Sequence, residues 1–131
     1  MAAVKEIYQL IDNFAPFETQ MDFDNAGFLV GRGETRVKRL LVALDVTLPV
    51  AKEAAEKGCQ LIVSHHPVIF SPLKKLGGQD VAFQLVKNGI SAICMHTNLD
   101  AAEGGVNEVL AGFFGMREME AFAEGCGRVG S

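Results

Sequence analysis

The sequence predicts an α/β domain in which helices flank a mostly parallel β-sheet. Three short apolar runs, at 38–46, 61–63 and 91–95, have the composition of buried strands. Two segments with helical character, 50–57 and 79–88, lie between these runs. A strand, a helix and a strand within about thirty residues make a βαβ unit, and its right-handed crossover leaves the two strands parallel. Two successive units therefore predict a parallel sheet with the crossover helices packed against it.

The N-terminal part of the chain supplies one further helix and one further strand. Apolar residues recur at helical spacing over 4–11, and this pattern stops within 13–16. A turn at 24–27 then leads into a short strand that 31–33 ends. The glycines of 31–33 do not form a complete phosphate-binding motif, so we interpret them as turn residues.

Glycines mark the ends of the two crossover helices, Gly58 for the first and Gly89 for the second. Between the second and third runs, 68–78 is expected to be a loop. The apolar residues of the second crossover helix that are expected to cover the sheet are Phe83, Leu85 and Val86. After a turn of small residues at 101–105, a last helix is expected at 106–114. The apolar residues on one face of that helix are Val106, Val109, Leu110 and Phe113.

Length and composition indicate one cytoplasmic domain. The chain has 131 residues, which is enough to bury about two-thirds of the surface of the unfolded chain without the help of disulfide bonds. The net charge of −4 argues against broad binding to a nucleic-acid backbone. Three cysteines without CxxC spacing are typical of reduced thiols. No segment reaches the roughly twenty apolar residues of a membrane span, and the helical start of the chain is not typical of a signal peptide.

The second predicted strand ends in an unusual motif, Ser64-His65-His66-Pro67. Open α/β sheets bind their ligands beyond the carboxyl ends of the strands. The proline favours an extended conformation at His66, so both imidazoles can reach one pocket. Taken alone, the two histidines could equally be a surface dipeptide or a pair in contact with a helix.

The third predicted strand ends in a second polar motif. The run at 91–95 is followed by His96-Thr97-Asn98-Leu99-Asp100, so all three histidines of the chain follow predicted strands. Neutral imidazole together with carboxylate is a typical ligand set for zinc, iron or manganese. The sequence therefore predicts a site for a divalent metal ion at one edge of the sheet.

Two carboxylates at this edge have more than one interpretation. Asp100 either binds the metal with the histidines or only caps the turn before the last helix. Asp45, at the carboxyl end of the first predicted strand, either lies on the ligand side of the sheet or is the N-cap of the helix that begins at 47–49. The residue pattern leaves both alternatives open.

In combination, these motifs resemble the N-terminal part of the Nif-three-like family, whose members are also described as type 2 homologues of GTP cyclohydrolase I. The matching stretches are Asp24-Asn25-Ala26-Gly27 with Gly31, Leu44-Asp45-Val46-Thr47, 61–67, and 96–102 with 104–107. They follow one another in order over nearly the whole chain, which makes the combination far more specific than any single motif. The resemblance implies a three-layer α/β fold, a site for two divalent metal ions and a ring-like homo-oligomer, hexameric in the family.

The resemblance also implies roles for individual residues. His65 and His66 match the paired metal ligands of the family, and Asp100 matches its ligand carboxylate. His96 falls beside that site, where we expect it to support a ligand or to face the substrate. We assign no residue a direct catalytic role.

The chain departs from the family pattern in one respect. Members of the family complete the site with a His and a Glu from a histidine-xxx-glutamate segment far downstream, and this chain has no histidine after His96. The stretch 125–130 resembles the opening of that second half. We therefore expect 1–131 to be a single lobe, the N-terminal part of a longer two-lobed protein, with a partial metal site. Two histidines and one carboxylate can hold one ion with open positions.

The predicted function is metal-dependent hydrolysis of the GTP cyclohydrolase type 2 kind. A divalent ion held by His65, His66 and Asp100 would lower the pKa of water for attack on a purine ring carbon or an amide-like bond. The GTP substrate is implied by the resemblance alone, and the isolated chain is expected to be inactive. The alternative is a non-enzymatic metal-binding protein that acts as a regulator or scaffold through protein partners.

Overall fold

A computed structural model describes all residues, 1–131. The helices are α1 (Val4–Phe14), α2 (Leu48–Glu56), α3 (Val81–Lys87), α4 (Thr97–Ala101) and α5 (Val106–Phe113), with a 3₁₀ turn at Phe17–Thr19. The strands are β1 (Gly27–Val30), β2 (Leu40–Ala43), β3 (Leu61–Ser64), β4 (Ser91–Cys94), β5 (Glu120–Phe122) and β6 (Gly127–Val129). The predicted alternation of strands and helices is confirmed, although β2 is shorter than the apolar run from which it was predicted.

The main sheet has four strands in the order β1-β4-β3-β2. Strands β2, β3 and β4 are parallel, and β1 pairs with β4 in the antiparallel direction. The register places Ser64 opposite both Ala43 and Cys94. The carboxyl ends of the three parallel strands therefore lie side by side, and the residues that follow them emerge at one edge of the sheet.

Helices cover both faces of this sheet, which confirms the mostly parallel α/β/α architecture. On one face, small residues of α2 and Leu85 of α3 pack against Ile62 of the central strand β3. On the other face, Val4 of α1 packs against Leu61 and Ile93. Alternate residues of β3 thus point into two separate cores, because side chains of a strand alternate between its faces.

The prediction for the buried face of α3 was wrong at two of three positions. Leu85 is fully buried, but Phe83 is 36% exposed and Val86 is 62% exposed. The face that contacts the sheet is formed by Ala82 and Leu85, which lie three residues apart. Phe83 and Val86 form the adjacent row, turned by about 100° around the helix axis.

Two elements near the C-terminal end were not predicted as such. Thr97–Ala101 forms α4, and 120–129 forms a hairpin of β5 and β6. Arg128 of the hairpin forms an ion pair with Glu108 of α5. Its Nε and Nη2 atoms lie 3.1 and 3.0 Å from Oε1 of Glu108. None of the helices combines the length and the apolar character needed to cross a bilayer.

One side of the molecule exposes a set of apolar side chains, which we call the apolar face. Its residues are Val42, Leu44, Leu99, Val106, Val109, Leu110 and Phe113, which line two adjoining clefts. Val42 on the edge strand β2 is 75% exposed, and Phe113 on α5 is 83% exposed. The predicted apolar residues of α5 therefore do lie on one side of the helix, but that side is exposed, and Ala111 is the one buried residue of α5.

Candidate metal site

Three imidazoles meet at the carboxyl edge of the sheet. His65 and His66 follow β3, and His96 follows the neighbouring parallel strand β4. The ring centroids are 5.2 to 5.6 Å apart, in edge-to-face arrangements. One nitrogen of each ring lies within 4.8 Å of a nitrogen of each other ring. The parallel strands thus bring together all three histidines of the chain.

Hydrogen bonds fix the main chain that carries the first two imidazoles. The amide of His65 donates to the carbonyl of Ala43 at 3.2 Å, and the amide of His66 donates to that of Leu44 at 2.9 Å. The hydroxyl of Ser64 donates to the carbonyl of His66 at 2.9 Å. The pairing with β2 therefore continues beyond the end of β3, and both rings project from a hydrogen-bonded backbone.

Cys94 supports this backbone and is not a candidate ligand. Its buried thiol donates a hydrogen bond of 3.0 Å to the carbonyl of His65. Desolvation, with a further contribution from the charge of Asp24, raises the pKa of the thiol to about 12. The side-chain atoms that lie close enough together to hold one ion belong to His65, His66 and His96, and the Cys94 sulfur is not among them.

Each imidazole is also paired with a different aspartate. The pairs are His65 Nε2 with Asp100 Oδ1 at 2.9 Å, His66 Nδ1 with Asp45 Oδ1 at 2.7 Å, and His96 Nδ1 with Asp24 Oδ1 at 2.8 Å. A carboxylate that accepts from one ring nitrogen orients the imidazole and leaves the other nitrogen available to a metal ion. Three such pairs at one point make the site strongly acidic.

The structure decides between the two interpretations of Asp45. The N-cap of α2 is Thr47, whose hydroxyl oxygen accepts from the amide of Val50 at 3.4 Å. Asp45 instead contacts His66, and both side chains are about half exposed. Asp45 therefore lies on the ligand side of the sheet.

Asp100 reaches the histidines from α4. Its carboxylate contacts His65, and its main-chain carbonyl accepts a hydrogen bond of 2.9 Å from Nδ2 of Asn107. The N-cap of α5 is Gly105, with no side-chain hydrogen bond, so Asp100 does not cap this helix. Its assignment as a metal ligand stays a prediction, and its position beside His65 is compatible with that role.

Asp24 is the residue that sequence reasoning missed. It was interpreted only as part of a turn, but its side chain is fully buried and contacts both His96 and Thr97. Burial alone would raise the pKa of this carboxyl group. Hydrogen bonds from the Thr97 hydroxyl, from His96 and from the amides of Thr97 and Asn25 outweigh burial and lower the pKa below its ordinary value. The only signal in the sequence was its place in the motif at 24–27.

Two observations indicate that the donor atoms suit a divalent ion. Ligands bound to one ion at about 2.0–2.1 Å, with angles between right and tetrahedral, are about 2.9–3.4 Å apart. The 2.9 Å between His65 Nε2 and Asp100 Oδ1 is therefore compatible with shared coordination. In addition, nitrogen atoms of all three imidazoles lie within 4.8 Å of one another, close enough for a group of side chains that could share one ion. The residues present thus fit a metal ion.

An open cleft of about 540 Å³ adjoins the histidines. Its lining residues are Val42, Ala43, Leu44, Val63, Ser64, His65, His66, Met95, Leu99 and Val106. Apart from Ser64 and the two imidazoles, these side chains are apolar, and none is basic. A molecule bound beside the imidazoles would therefore meet an apolar wall on one side and carboxylates on the other.

Comparison with known proteins shows which family this chain resembles. The family Duf34/NIF3 (NGG1p interacting factor 3) matches residues 2–131. A Staphylococcus aureus protein named GTP cyclohydrolase 1 type 2 homolog is 41% identical over 119 residues, which cover 88% of this chain and 32% of that protein. A Clostridium acetobutylicum protein of the same name is 34% identical over 126 residues, which cover 92% of this chain and 47% of that protein.

A solved structure supports the same relationship. The crystal structure of a Bacillus cereus protein related to NIF3 superposes with a TM-score of 0.88 at 35% identity, over 94% of this chain and 35% of that one. The chain thus spans between about a third and about half of the length of these relatives. The resemblance drawn from the ordered motifs is confirmed, and the chain belongs to the Duf34/NIF3 family.

Proposed function

We propose that this chain binds a divalent metal ion at the carboxyl edge of its sheet and contributes that ion to a hydrolytic reaction. His65, His66 and Asp100 are the proposed ligands. The observation that carries the proposal is the convergence of the imidazoles, with a carboxylate oxygen 2.9 Å from His65 Nε2. Imidazole with carboxylate suits zinc, iron or manganese, and a bound ion of this kind supplies Lewis-acid activation of water.

The protein residues would hold and orient the reacting groups. The contact of Asp45 with Nδ1 of His66 leaves Nε2 of that ring available as a ligand. The hydrogen bond from Cys94 and the pairing with β2 keep the His65 backbone in place. The apolar cleft excludes water from one side of the site, where a flat ring would contact Val63 and Leu99.

The substrate class follows only in part from the site. The relatives are named GTP cyclohydrolase 1 type 2 homologs, and a purine ring carbon is a reasonable electrophile for activated water. However, the cleft has no basic lining residue, and Asp24, Asp45 and Asp100 surround the histidines. This charge opposes a triphosphate. We therefore propose that turnover of GTP needs groups beyond this lobe, including ligands for a second ion, and that the lobe alone turns over little or no substrate.

The exposed apolar face bears on assembly. A contiguous apolar surface of this kind is typical of a site of association. We propose that the lobe contacts further protein through this face, either in a longer two-lobed chain or in a ring-like homo-oligomer such as the hexamer expected from the resemblance.

The experiment is metal binding and turnover by the purified chain. Elemental analysis and titration with zinc, manganese and, without oxygen, iron are expected to give one ion per chain. Hydrolysis of GTP and of simple amide and phosphoester substrates is then measured beside a full-length homologue. A chain that holds no divalent ion contradicts the proposal, whereas turnover equal to that of the homologue contradicts the need for further groups.

A second candidate is a non-enzymatic metal-binding scaffold. The observation that favours it is the extent of the apolar face beside the imidazoles, which suits a protein partner better than a polar nucleotide. A catalytic ion needs an exchangeable water, whereas a structural ion is closed by protein ligands. Proton relaxivity of the manganese-loaded protein separates the two, because only an ion with an exchangeable water enhances bulk-water relaxation strongly.

A further inference from the structure

The three imidazole–carboxylate pairs differ in how deeply they are buried. In the pair of His66 and Asp45, the side chains are 46% and 56% exposed. In the pair of His96 and Asp24, they are 20% and 0% exposed. Water can therefore compete for the hydrogen bond that orients His66. Water does not reach the carboxylate that orients His96.

The partners of Asp24 determine which nitrogen of His96 carries the proton. Oδ1 accepts from the amide of Asn25 at 2.7 Å, and Oδ2 accepts from the amide of Thr97 at 3.1 Å and from the Thr97 hydroxyl. The amide of Met21 donates to that same hydroxyl oxygen at 2.9 Å, so the hydroxyl hydrogen is directed to Asp24. An ionised carboxylate only accepts hydrogen bonds. Nδ1 of His96 must therefore be the donor, and in the neutral ring Nε2 keeps its lone pair.

The main chain at His96 is fixed as firmly as the ring. Its amide donates to Oδ1 of Asn98 at 2.9 Å. Asn98 is fully buried, and its Nδ2 donates to the carbonyl of Ala15 at 2.7 Å. His96 is thus anchored through its side chain to the turn before β1 and through its backbone to the end of α1.

We propose that His96 is a third imidazole ligand of the metal ion and that Asp24 is its positioning residue. This inference rests on the proposed metal site and extends its ligand set. Asp24 fixes the Nδ1–H tautomer and makes Nε2 a better donor, as carboxylates do for metal-binding histidines. One nitrogen of His96 lies within 4.8 Å of nitrogens of His65 and His66, and coordination of one ion would draw the donor atoms to about 2.9–3.4 Å from one another.

The first test needs no substitution. Long-range ¹H–¹⁵N correlation spectra of the labelled chain distinguish the two imidazole tautomers and detect zinc at an individual ring nitrogen. The metal-free protein is expected to show His96 as the Nδ1–H tautomer. On addition of zinc, the Nε2 resonance of His96 is expected to shift together with the resonances of His65 and His66. If the other two rings shift and that of His96 does not, the inference is wrong.

The second test is a thermodynamic cycle on zinc affinity. Asp24→Asn keeps the size of the side chain, but its amide can donate to Nδ1 and favour the tautomer that blocks Nε2. We expect zinc to bind about 10–100-fold more weakly to this variant, and at least as weakly to His96→Ala. The double variant should be no weaker than His96→Ala, because Asp24 acts through His96. Asp22→Asn, the same change of charge at an exposed residue in the same turn, is the matched control and should bind as the wild type does.

The outcomes separate this inference from the proposed function. A wild-type chain that binds none of zinc, manganese and iron overturns both, and where manganese or iron binds in place of zinc the same variants are compared with that ion. A wild-type chain that binds zinc, with full affinity in His96→Ala, overturns the third ligand alone. If the losses of zinc affinity in the two single variants add up in the double variant, Asp24 affects the metal independently of His96. If Asp24→Asn does not fold, the spectra of the wild type and the affinity of His96→Ala still decide the question.

Discussion

Asn107 joins the carboxylate-bearing helix α4 to the C-terminal hairpin through one side-chain amide. Its Nδ2 atom donates to the main-chain carbonyl of Asp100 and to that of Cys126, each at 2.9 Å. The hairpin, α5 and the proposed ligand Asp100 are thus connected within a single hydrogen-bonded unit. Changes in this unit should therefore reach the proposed metal site through Asp100.

Asn107→Ala tests this connection. The variant leaves two carbonyls without their donor, and we expect a loss of about 1–2 kcal/mol in the free energy of unfolding. Metal affinity should also fall, because the backbone of Asp100 becomes less restrained. Urea unfolding and zinc titration measure the two effects. Asn88→Ala, which removes an exposed amide bonded to Gln84 at the end of α3, is the control and should leave zinc affinity unchanged.

His65→Ala and His66→Ala should each lower metal occupancy far more than stability. Both rings lie beyond the end of β3 and outside the apolar clusters, so their removal creates no core cavity. A substitution at an exposed position such as His66 usually changes stability by about 0.5 kcal/mol or less, and one at the mostly buried His65 costs more. In both variants the loss of a ligand removes a large part of the binding energy. Elemental analysis beside thermal unfolding measures both quantities. Full metal content in either variant would refute the assignment of the ligands.

Asp100→Asn should weaken metal binding with little change in shape. The amide lacks the negative charge that a dication favours, but it can still hydrogen-bond to His65. If Asp100 serves only the local turn, the variant will lose some melting temperature and no metal. Titration calorimetry with manganese and zinc separates these results, and Asp22→Asn again serves as the control for charge.

Much of the fold could be predicted because the pattern of apolar residues indicates the buried strands and the helices between them. The runs that became β3 and β4 are buried on both faces, and Gly58 and Gly89 stop the crossover helices close to the predicted positions. The rule that ligands bind beyond parallel strand ends then placed the histidines on one edge. In α3 the same reasoning was wrong for Phe83 and Val86, because a seven-residue helix offers two apolar rows and the tertiary packing selects one.

The site was harder to predict where it depends on contacts between distant residues. Asp24 and His96 are 72 positions apart, and no local pattern pairs them. Helix α4 has only five residues and begins at Thr97 and Asn98, both buried and bonded to remote groups. The hairpin at 120–129 contains glycines that weaken any strand pattern, and it depends on the ion pair of Arg128 with Glu108.

Docking of the hairpin should depend on pH through Glu108. Hydrogen bonds from the amide of Gly104 and from the side chain of Arg128 lower the pKa of this carboxyl group from its ordinary 4.5. A group whose pKa is lower in the folded state stabilises that state above the unfolded pKa, and this contribution is lost as the pH falls through the folded pKa. Relative to the intrinsic exchange rate, which itself falls with pH in this range, the amides of β6 should therefore lose protection below about pH 4.

Glu108→Gln removes the titrating group and supplies the comparison for that experiment. At pH 6, the amides of the hairpin should exchange faster in this variant than in the wild type. The loss of protection that the wild type shows on acidification should be absent from the variant. Glu103→Gln, at an exposed position in the preceding turn, should behave as the wild type does. A wild-type hairpin whose exchange follows only the intrinsic pH dependence of amides would show that Glu108 does not hold it.

From the apolar face we predict that the chain associates in a concentration-dependent manner. Phe113 is 83% exposed beside Val109 and Leu110. Val42 lies on β2, which pairs with β3 on one side and has no strand on its outer side. Phe113→Ser removes apolar area, and Val42→Lys places a charge on the strand edge, a device that natural proteins use against edge pairing. Both variants should shift sedimentation velocity profiles toward the monomer, and Phe113→Ser, which lies outside the cleft beside the imidazoles, should do so with little effect on zinc affinity. Phe23→Ser, at a 67% exposed residue outside the apolar face, is the control and should not change association.

A wild-type chain that sediments as a monomer at all accessible concentrations would show that this face does not mediate self-association. The partner of the face would then be a different polypeptide or the rest of a longer chain.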